Sequence, residues 1–189
     1  MVELIVVIAI IGVLSGIVLI NVSDAREKVA VSTAGTNQRQ MSKAVGLYFA
    51  DMGFYPPDVN RGWDPGLVKA VPWSPDAPGT GSFSTSGANC IDCPSDWQDI
   101  ILQKWNGPYL GNWPQHTPWG GKYDYNYWTE SSTERFGCGV PPGIYMGVER
   151  DYDNIGGVVP PSAEIKMGQA GFDANCPNNG EAQMLLQPL

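Results

Sequence analysis

With 189 residues and a hydrophobic content of 43%, the chain has room for one domain, or one domain with an appendage, and enough apolar material for a core. Its net charge of −8 lies wholly beyond residue 52, where 15 acids face 7 bases, while the first 52 residues carry four of each. An acidic, aromatic-rich module lacks the clustered Lys and Arg that phosphate backbones demand, which excludes nucleic acid as the main partner.

The first element runs from Leu4 to Val22, nineteen residues without a charge. As a helix it measures roughly 28 Å, close to the hydrocarbon thickness of a bilayer. A secretory signal peptide has a shorter apolar run, a basic leader and a small-residue cleavage site. The segment is therefore expected to stay in the mature protein. Residues 23–53 continue without proline. Val22, Ala25 and Val29 fall on one stripe, and Met41, Val45, Tyr48 and Met52 fall on another at helical spacing. Gly35 and Gly46 each weaken a helix by about 1 kcal/mol. Gly53 and Tyr55-Pro56-Pro57 end it. This pattern divides the chain into a membrane or filament-core half-helix (1–22), an amphipathic half-helix (23–53) and a globular head (54–189).

Glu3 is the anomaly in the apolar run. A carboxylate at the head of such a helix is costly in lipid or in a dry fibre core. One reading places it at headgroup level, where it favours the positive end of the helix dipole. The other leaves it awaiting a cation, for which the amino terminus of a neighbouring chain would serve and would set the axial register between subunits.

Val2-Glu3-Leu4-Ile5-Val6-Val7-Ile8-Ala9-Ile10-Ile11-Gly12-Val13-Leu14 resembles the start of processed type IV pilins and type II secretion pseudopilins. The resemblance implies cleavage by a membrane prepilin peptidase, N-methylation of the new first residue, and a homopolymer held by its N-terminal helices. Glu3, Leu4, Ile8, Gly12 and Gly16 are the assembly residues it points to. The family's glutamate stands fifth from the processed end and here it is third, which shifts the register of any glutamate–amine pair. Many pilins carry a proline where this chain has Ile20, and no proline precedes Pro56. A continuous helix is expected.

Residues 53–98 are rich in Pro, Gly and Ser, and a loop of that length is expected to be stapled. The four cysteines, Cys90, Cys93, Cys138 and Cys176, read as two disulfides with three pairings open. A zinc site competes, because Cys90-x-x-Cys93 has metal spacing, but the second half of that signature is missing. Ser95–Trp105 predicts a short helix capped by Ser95. Gly107-Pro108-Tyr109-Leu110 and Pro118-Trp119-Gly120-Gly121-Lys122-Tyr123 resemble the run before the first strand of major pseudopilins, with Thr117 where that family commonly has aspartate. Tyr123, Tyr125 and Tyr127 alternate with Asp124, Asn126 and Trp128 as in a strand, and 143–149 and 182–187 predict two more. The fold class is α+β: a long N-terminal helix, the pilin lollipop, packed on a small antiparallel sheet with long disulfide-stapled loops. Twenty aromatics are assigned to the core of a head poor in Leu and Ile.

Catalytic chemistry is not expected. The one histidine, His116, sits in a proline-flanked loop, and neither a nucleophile elbow nor a phosphate loop is present. Asp151-Tyr152-Asp153-Asn154 opens like a calcium loop but fails at its fifth and twelfth positions. Asp173, Asn175, Asn179 and Glu181 offer four oxygen side chains within nine residues, and major pseudopilins bind calcium in a C-terminal loop. The expectation is no cofactor, or Ca2+ at those four. The function expected is a filament subunit, in the inner membrane before assembly and periplasmic or extracellular afterwards, served by an ATPase-driven assembly platform. A minor tip pseudopilin that binds cargo, and a signal-anchored periplasmic enzyme or binding protein, are the alternatives.

Overall fold

The structure is a computed structural model of the chain and describes residues 2–77, 79, 81–129, 139–152, 156–174 and 177–189, leaving aside the side chains of 16–21. Its described elements are α1 (Val2–Met52), α2 (Trp97–Lys104), β1 (Lys122–Trp128), β2 (Gly143–Glu149), α3 (Pro161–Gln169) and β3 (Ala182–Pro188). The fold is α+β, with an antiparallel sheet in the order β1-β2-β3 against the C-terminal half of α1.

Helix α1 is continuous through Gly12, Gly16 and Ile20. Its buried stripe is Val31, Ala34, Gln38, Met41, Val45, Tyr48 and Met52, alternating three and four residues apart. That spacing keeps one face toward the sheet. The polar member is satisfied: the Gln38 amide donates to the carbonyls of Met146 (2.8 Å) and Phe172 (3.2 Å). Met41, Val45, Tyr48 and Met52 thus pack as the spacing predicts. Val22, Ala25 and Val29 do not: they lie toward the opposite side and are exposed, Val29 by 65%. At the end of α1 Gly53 takes φ +80° and its N–H returns to the Phe49 carbonyl (2.8 Å), a glycine C-cap.

The apolar run does not meet the expectation of a bilayer span within the described residues. Among them no helix is long and apolar enough to cross a membrane, and residues 16–21 of the expected span fall outside the described side chains.

The long loop after α1 is held mainly by backbone pairing and one carboxylate. Asp58 bridges Asn89, and Asp64 bridges Trp73. The buried Asp64 side chain accepts the N–H groups of Leu67 (2.7 Å), Val68 (3.0 Å) and Lys69 (3.2 Å). This turn presents the Leu67 carbonyl to the N–H groups of Tyr109 and Leu110, so the Gly107–Leu110 segment docks on it. A Cys90–Cys93 disulfide is present, and it joins residues three apart, tightening a local turn rather than closing the long loop. Neither of those sulfurs is left as a thiolate for zinc. Cys138 and Cys176 lie outside the described residues.

Ser95 does not cap α2; Asp96 is the N-cap, and no side chain bonds there. Thr117 closes the turn before β1 by accepting the Gly121 N–H on Oγ1 (2.9 Å), a task a carboxylate can also perform. The aromatics are largely core: Tyr48, Trp113, Tyr123, Tyr125 and Tyr145 are fully buried. Helix α3 starts with Pro161 in its first turn, and its Lys166 pairs with Glu27 of α1.

Gly35 and Gly46 of α1 differ in surroundings. A Cβ on Gly35 would stand 2.3 Å from the Phe172 ring, which is itself buried and stacked by Arg39 (4.5 Å), whereas one on Gly46 would meet nothing within 4 Å. Gly46→Ala should stabilise the protein by up to about 1 kcal/mol through helix propensity. Gly35→Ala should destabilise it by about 1–3 kcal/mol through overpacking. Chemical denaturation of both variants checks the opposite signs.

Candidate functional site

The distinctive surface is the N-terminal rod of α1. Ten large apolar side chains between Val2 and Leu14 are exposed, Val2 by 74%, Leu4 by 71% and Ile8 by 60%. At about 1.5 kcal/mol or more for each such side chain removed from water, sheathing them is worth on the order of 15 kcal/mol. That matches the upper end of the whole stability of an ordinary domain. Leu4, Ile8 and Gly12 follow at four-residue steps along one face, and Glu3 is exposed beside them in the first turn. A Cβ on Gly12 would meet nothing within 4 Å, leaving room for a second backbone to approach. Val6, Ala9, Ile10, Val13 and Leu14 border an open apolar groove of about 350 Å³. Gly16 is placed in the helix, with its surroundings outside the description.

The apolar surface continues toward the head. The exposed Val22, Ala25 and Val29, with Ala30, Thr33 and Pro118, line a second groove of about 400 Å³. The first stripe predicted from sequence therefore belongs with the rod rather than with the core.

Asp173, Asn179 and Glu181 do not converge on a cation. Asp173 accepts the Gln183 N–H (3.1 Å), and Asn179 Oδ1 accepts the Glu181 N–H (2.8 Å). Glu181 Oε1 takes Arg150 Nε (3.2 Å) and the Tyr152 hydroxyl (2.8 Å). Arg150 thus takes one oxygen of Glu181, and each of these three residues is engaged by the protein itself. Among the described residues no group of three His, Cys, Asp or Glu could hold a metal; Asn175 lies outside them.

The same part of the head contains a buried ionic network. Asp124 and Asn126 share one face of the sheet with Glu149 and Gln183, and that face is covered as fully as the apolar one. Arg61 binds Glu149 Oε2 and lies 4.0 Å from Asp124. Asn126 (3.1 Å) and Gln183 donate to Glu149 Oε1. Gly147 makes this possible, because a Cβ there would stand 2.6 Å from the Gln183 amide and 2.9 Å from Glu149 Oε1. Tyr152 carries Arg61 (4.4 Å) and Arg150 (5.2 Å) against its ring. Burial and the neighbouring Glu149 charge push the Asp124 carboxyl well above the usual range, and burial raises Glu181. Sequence reading used Asp124 and Asn126 only as alternating positions of a strand and did not single out Arg61, Asp124 or Glu149 as a site.

Comparison with protein-family models, with curated proteins and with solved structures returns no match.

The buried acids set a pH dependence. Burial outweighs the backbone N–H donors of Gly66, Leu67, Val68 and Lys69 at Asp64 and pushes it up to about 6 from 3.8. A folded-state pKa above the unfolded one means that the folded protein takes up the proton first. Its stability therefore rises as pH falls, and Asp124 acts in the same direction. Asp76, with a lowered pKa, works the other way only below its ordinary 3.8, and Glu27 only below 4.5. Between pH 7 and pH 4.5 the folding free energy should increase, with Asp64 contributing about 2 kcal/mol. Urea denaturation across that range checks the sign, and Asp64→Asn should flatten the slope.

Proposed function

We propose that this chain is a structural subunit which polymerises through its N-terminal helix into a filament of the type IV pilus or type II secretion pseudopilus kind. The observation that carries the reading is the rod: ten exposed apolar side chains on a helix continuous with a folded head. Such a surface needs either lipid or other copies of itself around it. In this reading the helix rests in the inner membrane before assembly, and the head projects into the periplasm. Afterwards the helices form the filament core and the acidic heads coat it, in the periplasm or outside the cell.

Lipid tails are as apolar as the rod, so moving it from bilayer to fibre gains little transfer free energy. Side-chain packing and charge pairing must supply the difference. Glu3 supplies the pairing by meeting the amino terminus of a neighbour. The small net gain calls for an external motor and a membrane platform protein, with a prepilin peptidase acting before assembly. The reading assigns the chain no catalytic step.

The test is Glu3→Ala in cells carrying the complete assembly system. The variant should still fractionate with membranes at wild-type level, while its incorporation into sheared filaments drops by about tenfold or more. Negative-stain images should show filaments only where the wild-type chain is expressed. Indifference to the substitution, or a wild-type chain that stays a lipid-bound monomer, overturns the proposal.

A further inference from the structure

The aromatic residues divide unevenly between the core and one polar cleft. Of the seven tryptophans and eight tyrosines, only Trp63 and Tyr152 neither belong to nor pack against a buried apolar cluster. Both line the same cleft, of about 220 Å³, beside the ionic network. Trp63 is half-buried, and among the described residues no other ring and no cation stacks on it. Its ring therefore serves the cleft wall and not the core.

Three parts of the head build the walls. The loop after α1 supplies Arg61, Trp63 and Asp76, the start of β1 supplies Lys122, and the segment after β2 supplies Asp151 and Tyr152. These parts are tied to one another. Arg61 binds Glu149 through Nε, and its guanidinium stands over the Tyr152 ring (4.4 Å). Lys122 pairs with Asp76, which also accepts the Gln115 amide (2.8 Å). A Cβ on Gly157 would run into the Gly121 backbone, so the segment after β2 lies directly on the turn that leads into β1. Donors remain unspent within this frame. Among the described residues the terminal nitrogens of Arg61 carry no hydrogen bond, and Lys122 Nζ has Asp76 as its one acceptor.

We propose that this cleft binds one ring of an uncharged saccharide, stacked on Trp63 and hydrogen-bonded by Arg61, Lys122 and Asp76. The lining sets Arg61 and Lys122 against Asp76 and Asp151, so an ion of either sign meets a like charge there. An uncharged polyol does not. Its hydroxyls both donate and accept, so they can bond guanidinium, ammonium and carboxylate in turn. The C–H face of a sugar ring is apolar and flat enough to lie on an indole, which buries a large apolar surface. The cleft holds the volume of about seven water molecules, room for one such ring. The inference goes beyond the filament reading and does not depend on it, because it needs only the folded head.

The experiment uses the full-length chain in an amine-oxide detergent, which unlike an alkyl glycoside carries no sugar. The probes are the methyl glycosides of glucose, galactose, mannose and N-acetylglucosamine, and inorganic phosphate as the competing anion. Saturation-transfer NMR should show saturable binding of at least one glycoside, with a Kd on the order of 1–10 mM. Trp63→Ala should weaken that binding by about tenfold or more, and Trp63→Phe by no more than about threefold. Because Trp63 lies outside both apolar clusters, the Ala variant should keep the wild-type circular dichroism. Failure of all four glycosides to saturate the wild-type protein overturns the inference, as does binding that Trp63→Ala leaves unchanged. Phosphate that binds more tightly than every glycoside also overturns it, since the cleft is then an anion site. None of these results bears on the filament reading, so the two fail separately.

Discussion

Helix α1 changes from exposed to buried along one continuous rod, and the rest of the molecule follows from where it changes. From Val31 onward one stripe is buried in the protein's own head, while the described side chains before it are exposed or only half-buried. The Glu27 carboxylate, held by Lys166 and Ser162, is the first tie between helix and head. A carboxylate pairs with an ammonium at the water-exposed boundary without the desolvation cost it would meet deeper in. The head is therefore hung on about six turns of helix. Its elements reach that helix by directed bonds as well as apolar contact: Asn37 to the Tyr123 hydroxyl (2.9 Å), Gln38 to two carbonyls, Tyr109 to Asp51 (2.9 Å). Directed bonds fix the rotation of the rod about its axis, which apolar packing alone leaves loosely specified.

The sheet solves a second problem, that of covering both faces of three strands with few aliphatic residues. One face takes Tyr123, Tyr125, Ile144, Met146 and Val148 against α1. The other takes a charge network of Arg61 and Arg150 with Asp124, Glu149 and Glu181. Such a network is an inefficient source of stability, because desolvation consumes most of its Coulomb gain. It does impose a unique register, since a one-residue slip would carry Glu149 and Gln183 into the apolar layer.

Sequence periodicity made the helix and the strands legible. Met41, Val45, Tyr48 and Met52 carry the packing, β1 and β2 fall within a residue of the expected bounds, and β3 begins at Ala182. Other features depend on tertiary context. The alternation of β1 reads as a half-buried strand, but Arg61, sixty residues away in sequence, covers its polar side. Val22, Ala25 and Val29 have helical spacing that looks like core, and periodicity cannot say which of two apolar stripes finds a partner. Helix α3 escaped notice because the Pro160-Pro161 pair reads as loop, although a proline at the first helical position is also a start signal. The C-terminal oxygen cluster reads as a cation site in sequence, and nothing local reveals that Arg150 reaches Glu181 there.

Whether a surface like the rod specifies a partner is a question of geometry more than of hydrophobicity. Ten exposed apolar side chains would be satisfied by any greasy surroundings, bilayer included, so burial by itself selects no register and no stoichiometry. On the proposed reading, specificity must come from the few groups on and around the rod that are not interchangeable with lipid. Glu3 sits at one end as a lone charge in the apolar run, and Gly12 offers an unobstructed backbone. Each acts over a few ångströms, and each prefers one axial offset between neighbours. A filament needs those offsets to agree, because a helix of subunits has a single rise and every contact repeats with it. A charge at Glu3 and an open backbone at Gly12, about 14 Å apart along the same rod, are a pair of constraints that only a common rise can satisfy.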